Sequence, residues 1–324
     1  MGIATEVYVA IVSCVLSSIG SFLIILLNLR FSDYRSNFFR KLIWVLSSYD
    51  FLLTVLFFFP QSNKNSCKFQ SYALVFAGSM APNFSFCIAI ITYLNISKNY
   101  PIWKLAKISI YLHAVSFCAS LGIMIFSLFT AQVGPYPETY WCFIHGRLAK
   151  GFYYGTIWIS CLGSTIMYLL IVKKITQVSR AIERMMNLED AKKRREVLQS
   201  QIRMSIIPLS LIITWFFPSI RRGREIFSPN SKEIPWLNIL QSLTNPLQGF
   251  LDCIVFVFCS KYSRDKLYEL FCCKEWKKSS PMKVIGLSHD KKTPLLITAE
   301  EFMSNSSQKE ADPVISLQES INNN

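Results

Sequence analysis

Seven long apolar stretches punctuate this chain, and each is close to the length needed to cross a bilayer. Residues 7–29, 69–97, 108–137, 151–172 and 204–220 carry no Asp, Glu, Lys or Arg; residues 42–63 and 234–260 carry only Asp50 and Asp252. A hydrocarbon core of about 30 Å takes roughly 20 helical residues. Only a helix satisfies its own backbone there without closing a barrel, and these runs are too long for barrel strands. The 17-residue stretch 204–220 is the shortest, but Arg203 and Arg221 flank it and can snorkel to the interfaces. Only 17% of the 324 residues are charged against 52% hydrophobic, so an all-α bundle of seven transmembrane helices is expected.

Seven spans put the termini on opposite sides, which makes alternate connections comparable. One set, 30–41, 98–107, 173–203 and the segment after 260, holds 26 Lys and Arg; the other holds 8. The positive-inside rule places the N-terminus outside and the C-terminal segment in the cytosol. The net charge of +14 is then a topology signal, and no basic globular domain is left to bind nucleic acid. The expected organisation is a short outer N-terminus (1–6), a membrane domain (7–259), an amphipathic eighth helix (260–273) and a disordered cytoplasmic tail (274–324). That tail offers serines and threonines beside Lys and Glu to a kinase. The sequons at Asn83 and Asn95 fall in or at the inner end of the third span and the one at Asn305 in the tail, so none should be glycosylated.

This topology sorts the ten cysteines. Six lie in spans as packing residues, and only Cys67 and Cys142 face the oxidising side. A disulfide between them would pin the loop between spans four and five over the bundle mouth; the alternative is two unpaired thiols. Cys272 and Cys273 end a short stretch with Lys261, Arg264 and Lys266 on one side and Leu267, Leu270 and Phe271 on the other. It reads as a helix lying on the inner leaflet, its two cysteines placed for S-acylation in contact with membrane lipid.

Asp50 and Asp252 are the two acids inside the spans, where an ionisable group marks function by default. Counting from the inner ends of their helices, Asp50 lies roughly 13 Å deep and Asp252 roughly 10 Å deep. If the second and seventh helices are neighbours, the carboxyls share one polar pocket that holds a proton or a sodium ion and biases inactive against active states. The alternative is two neutral carboxyls hydrogen-bonded to Ser or Asn neighbours. Pro82, Pro208, Pro218 and Pro246 interrupt spans three, six, six and seven; two in the sixth make a hinge, with Trp215 one turn before Pro218. The loop 173–203 reads as a charged helical extension of spans five and six, either a solvated face or a docking surface. Outside, Arg147, Lys150, Arg221, Arg222 and Arg224 form a basic rim that can meet an anionic ligand group.

No lysine in the seventh span can hold a retinal, the three histidines have no ligand spacing, and no phosphate-binding glycine motif occurs. Nothing is arranged as nucleophile and base, so no enzyme activity and no resident cofactor are expected beyond the ion or proton at the acid pair.

Three segments carry a family resemblance together: IIPLSLIITWFFPSIRR in span six, LTNPLQGFLDCIVFVFC in span seven and WCFI in the outer loop. In order and spacing they resemble the cyclic-AMP-receptor-like G-protein-coupled receptors. LSSYD at 46–50 resembles the second-helix motif of such receptors generally. SCVLSSIGS in the first span and FCC after the seventh resemble the orphan, cilium-associated animal branch. The resemblance implies a plasma-membrane or ciliary receptor for an extracellular ligand, coupled to a heterotrimeric G protein through the sixth-helix hinge. It matches Cys67 and Cys142 to the family disulfide and puts Asn245 and Pro246 in the seventh-helix motif. Asp252 stands where the family has Asn, and Phe256 in a Tyr place. Tyr93-Leu94-Asn95 stands where many receptors have an Asp-Arg-Tyr lock. The competing expectation is a seven-helix ion-coupled transporter or channel working through Asp50 and Asp252.

Overall fold

The structure, a computed structural model, describes residues 2–59, 63–135, 141–185, 210–228, 234–258 and 260–272. The first span is α1, Gly2–Arg30. A short α2, Ser32–Ser36, leads to the second span, α3, Phe38–Phe57. The third and fourth are α4, Lys64–Lys98, and α5, Ile102–Thr130. An antiparallel hairpin of β1, Gln132–Pro135, and β2, Cys142–His145, precedes the fifth span, α6, Arg147–Met185. The described part of the sixth span is α7, 210–227. The seventh combines α8, Pro235–Thr244, a 3-10 turn at Asn245–Leu247, α9, Gln248–Cys253, and a π-helical turn at Ile254–Phe258. Finally α10, Lys261–Cys272, turns away from the seventh span by 105°.

Local sequence sets these boundaries. Asn37 and Asn63 cap α3 and α4 by accepting from the Arg40 and Ser66 amides at 3.3 and 2.8 Å. Asn99 closes α4 in the left-handed conformation, φ 50°. Two expectations from the apolar runs are corrected. The second span stops at Phe57 rather than running to 63, because Pro60 follows and biases the residues before it away from the helix. The fourth stops at Thr130 rather than 137, since Gly134 and Pro135 divert the chain into β1. Pro82 and Pro218 both lie in continuous helix, whereas Pro246 sits in the 3-10 turn. The α6 helix extends inward to Met185, as expected of a charged extension. Pro208, the rest of that loop, Cys273 and the tail lie outside the described residues.

By length and composition, four of the described helices can each cross a membrane, α1, α4, α5 and α6, and the seventh-span segment joined to α10 makes a fifth candidate. The α3 helix carries Arg40, Lys41 and Asp50 within its 20 residues, and the first half of the sixth run lies outside the described residues. Packing shows which faces meet lipid. In α5 four of the six buried positions are serines, Ser109, Ser116, Ser120 and Ser127, beside Leu105 and Ile123, while Ile110, Tyr111, Val115 and Phe129 point outward. Large side chains outside and small polar ones inside invert the soluble pattern, because lipid, unlike water, solvates Phe and Ile as well as a protein interior does. Asn83, the sequon asparagine, is part of this packing: it donates to Ser120 and accepts from Ser160, tying spans three, four and five.

Spans one and seven approach each other closely at Gly249. A Cβ on Gly249 would lie 2.0 Å from Ser21 Oγ and 3.1 Å from the Ser17 carbonyl. Gly249→Val is therefore expected to lower the unfolding midpoint of the purified protein, the overpacking amounting to about 3 kcal/mol. Ser21→Ala should recover part of the smaller loss caused by Gly249→Ala, a compensation that unfolding curves of the single and double variants would reveal.

Candidate functional site

The outer end of the bundle is closed by β2, and three contacts hold that strand down. Cys67 at the start of α4 is disulfide-bonded to Cys142, their Cα atoms 5.3 Å apart. One turn further along α4, buried Gln70 accepts from the Cys142 amide at 2.9 Å. Its amide nitrogen donates to the carbonyls of Leu56 and Phe59, at 2.9 and 3.2 Å, where α3 ends. Trp141 then packs edge-on against Phe57.

Beneath this roof is a cavity of about 330 Å³ including its open mouth. Leu53 and Phe57 of α3 and Leu74 of α4 form its apolar side; Tyr153 and Tyr154 of α6 and Trp215 of α7 complete an aromatic wall with Trp141 and Phe143. Tyr153 can lie so deep because α4 has no side chain at Gly78, where a Cβ would be 2.3 Å from the tyrosine oxygen. Spans six and seven add Arg222, Gln241 and Asn245, beside the hydroxyl-bearing Tyr153 and Tyr154 of span five.

Of the predicted basic rim, Arg222 becomes an interior residue, 1% exposed, with its guanidinium 5.6 Å from the Phe143 ring centre. Glu225, one turn on, accepts from Arg222 at 2.5 Å and from Lys150 of α6 at 2.8 Å, with Arg221 Nε at 3.5 Å. This bridge ties the outer ends of spans five and six. Arg221 also approaches Gln241 of span seven at 3.4 Å. Arg147 is exposed, and neither it nor Arg224 lines the cavity. His145, at the end of β2, has its pKa lowered from the ordinary histidine value by burial and then by Lys150, so the neutral ring packs there.

Trp215 forms the inner boundary of the cavity and donates from its indole nitrogen to Gln248 Oε1 at 3.1 Å, linking spans six and seven. One helical turn beyond Gln248 is Asp252, whose carboxylate accepts from Ser210 of α7. Asp50 of α3 and Asp252 of α9 are both 1% exposed, on helices that pack against each other. Both Asp50 oxygens and Asp252 Oδ2 find no donor among the described residues. Spans two and seven are therefore neighbours at this level. Phe256, in the π-helical turn, packs edge-on against buried Tyr34 at the inner end, away from the acids' partner Ser210. Asn245 Oδ1 is buried with no donor among the described residues.

Several residues that matter were not singled out by sequence alone. Gln70 carries a signal in hindsight, a polar side chain three positions after Cys67 at the start of a charge-free run. Ser210, Tyr153 and Tyr154 carry none, because serines and tyrosines are common in spans. The Cys272 side chain and Cys273, proposed for acylation, lie outside the described residues.

These spans in this order, an outer hairpin clamped to the third, and a cross-lying helix after the seventh define an all-α seven-helix membrane bundle. The structure of squid rhodopsin superposes with a TM-score of 0.70 over 85% of this chain and 89% of that one, at 14% identity, a likeness of fold. G-protein coupled receptor 157 of Rattus norvegicus is 23% identical over 289 residues, covering 82% of this chain and 85% of its own length. The human protein of that name is 24% identical over 83% of this chain and 84% of its own. G-protein coupled receptor 1 of Arabidopsis thaliana is 25% identical over 77% and 76%. Residues 192–264 match the family described as the C-terminal part of the G protein-coupled glucose receptor regulating Gpa2. The chain is thus G-protein-coupled-receptor-like, a multi-pass membrane protein with its similarity running to the orphan animal branch.

Proposed function

We propose that this chain is a plasma-membrane receptor that transmits binding of an extracellular ligand to a heterotrimeric G protein, with its N-terminus outside. The observation that carries this reading is the position of Trp215, at once the inner wall of the outer cavity and a hydrogen-bond partner of span seven one turn above the acid pair. A ligand entering under β2 meets this indole. Displacing it breaks the bond to Gln248 and frees span six, with Pro218 one turn beyond, to tilt against span seven. Such coupling needs only that ligand and G protein prefer the same one of two arrangements. The basic inner loops supply the partner-facing surface, and the Asp50–Asp252 pair, holding a proton or a sodium ion, biases the two arrangements. The similarity to named G-protein-coupled receptors supports the partner.

The test is guanine-nucleotide exchange on a panel of G-protein families in membranes carrying the full chain, without ligand and with a ligand panel. Exchange above that of receptor-free membranes is expected. Ion or solute flux into sealed vesicles without any exchange would overturn the receptor reading in favour of a transporter or channel.

A further inference from the structure

The outer cavity has its polar and apolar groups on opposite sides, and that separation describes a ligand. Spans two and three and the hairpin contribute hydrocarbon and aromatic surface; spans six and seven contribute a buried guanidinium and two amides. A buried arginine in an aromatic chamber is suited to a planar anion, because its fork of N–H donors matches a carboxylate edge while a ring beside it, as Phe143 is 5.6 Å from Arg222, favours the cation. Around it Lys150, Arg221 and Arg222 converge on the single carboxylate of Glu225. Over the whole chain, the outer segments carry eight basic residues against Glu6, Glu138, Glu225 and Glu233. The local field therefore favours an incoming negative charge.

Resting on the receptor reading above, we infer that the ligand is a compact aromatic monocarboxylate, its carboxylate seated on Arg222 in exchange for Glu225 and its ring among Trp141, Tyr153 and Trp215. The cavity is narrow as it stands, so the ring enters by displacing the Trp215 indole, the movement the receptor reading calls for. A nucleotide fits the same charge poorly: its sugar hydroxyls and base edges would face Leu53, Phe57 and Leu74, which offer no hydrogen bond, and buried unmatched polar groups weaken binding. The exchange also gives the ligand a lever. Glu225 bridges Lys150 of span five to Arg222 of span six, so a ligand carboxylate that takes Arg222 loosens the outer ends of these spans while its ring presses on Trp215.

The experiment uses the full chain in lipid nanodiscs with a panel of one- and two-ring aromatic acids, indole-3-acetate among them. Each acid is paired with its neutral amide, and acetate, inorganic phosphate and cyclic AMP are added as separate probes. Binding is read from the unfolding midpoint and from tryptophan fluorescence. At least one acid is expected to bind about tenfold or more tightly than its amide, the usual margin of a charged over a neutral hydrogen-bonded group. Arg222→Gln in a Glu225→Gln background should abolish that preference. Glu225→Gln alone, which keeps Arg222 and removes its internal competitor, should strengthen acid binding severalfold, an effect that mere loss of structure cannot produce. Equal binding of acid and amide, no binding by any acid, or tighter binding of phosphate or cyclic AMP would overturn the inference. Acid binding without any effect on nucleotide exchange would leave it standing and remove the receptor reading; basal exchange with no acid preference would do the reverse.

Discussion

Cys142→Ser is expected to abolish the ligand response while the spans remain inserted in the membrane. The disulfide closes a loop with a sequence separation of 75. For a freely unfolding chain, a closure of that length corresponds to about 4.5 kcal/mol of stabilisation. The helices themselves stay inserted when the bond is lost, so most of the effect falls on the loop. Without the bond, β2 loses its covalent tie to α4 and keeps the hydrogen bond to Gln70, the edge of Trp141 on Phe57, its pairing with β1 and the Phe143–Tyr153 ring contact. The cavity would lose Trp141 and Phe143, two of its aromatic walls, and the ring under Arg222. The expected pattern is intracellular retention of part of the protein, and a surface-delivered fraction that exchanges nucleotide only at its basal level. Cys67→Ser should match it, and the double variant should be no worse than either single, since all three break the same bond. Surface staining with exchange assays checks this. A full ligand response in Cys142→Ser would show that the hairpin does not define the cavity.

Asp252→Asn is expected to remove the dependence of basal exchange on sodium and pH. Two buried carboxyls in contact cannot both carry charge without a proton or a cation between them. On the proposed reading, occupancy of that shared site would link spans two and seven, with Ser210, which donates to Asp252, extending the link to span six. An asparagine at 252 keeps the shape, still accepts from Ser210, and can donate its amide to Asp50. The pair is then satisfied without proton or cation. Coupling energies between distant sites usually correspond to about 5- to 150-fold. The native protein should therefore change basal exchange about fivefold or more between sodium-free and sodium-rich buffer, or between mildly acidic and mildly alkaline buffer, and the variant hardly at all. Exchange measured in sealed membranes over both series is the check; an Asp252→Asn protein with the native dependence on both would sink the switch.

Much of the architecture was legible in the chain because membrane burial writes itself locally. A charge-free run long enough to cross the bilayer declares a span whatever it packs against. The uneven distribution of Lys and Arg orders the loops, and the compartment this implies leaves Cys67 and Cys142 as the outside pair. Among the described residues, the run lengths overshot the helices where proline and glycine intervene, after Phe57 and after Thr130, where an apolar segment leaves the helix as turn or strand. The site was legible in part. Asp50 and Asp252 stood out because charge in a span is expensive, though nothing in the sequence said that their helices are neighbours. The basic rim was visible as five residues with no rank among them.

What the sequence by itself determined is the set of elements, their order and the chemistry each carries, since those follow from hydropathy, charge and breakers along the chain. Tertiary structure alone decided that Arg222 lies inside and Arg147 outside, that Tyr153 fills the gap left by Gly78, and that Trp215 joins the cavity to span seven. Those assignments depend on helix rotation and on close approach between distant residues. Rotation in a membrane bundle is set by small residues meeting across helices, as at Gly20 and Gly249. An apolar stretch, equally at home facing lipid or protein, leaves no periodic mark of that choice.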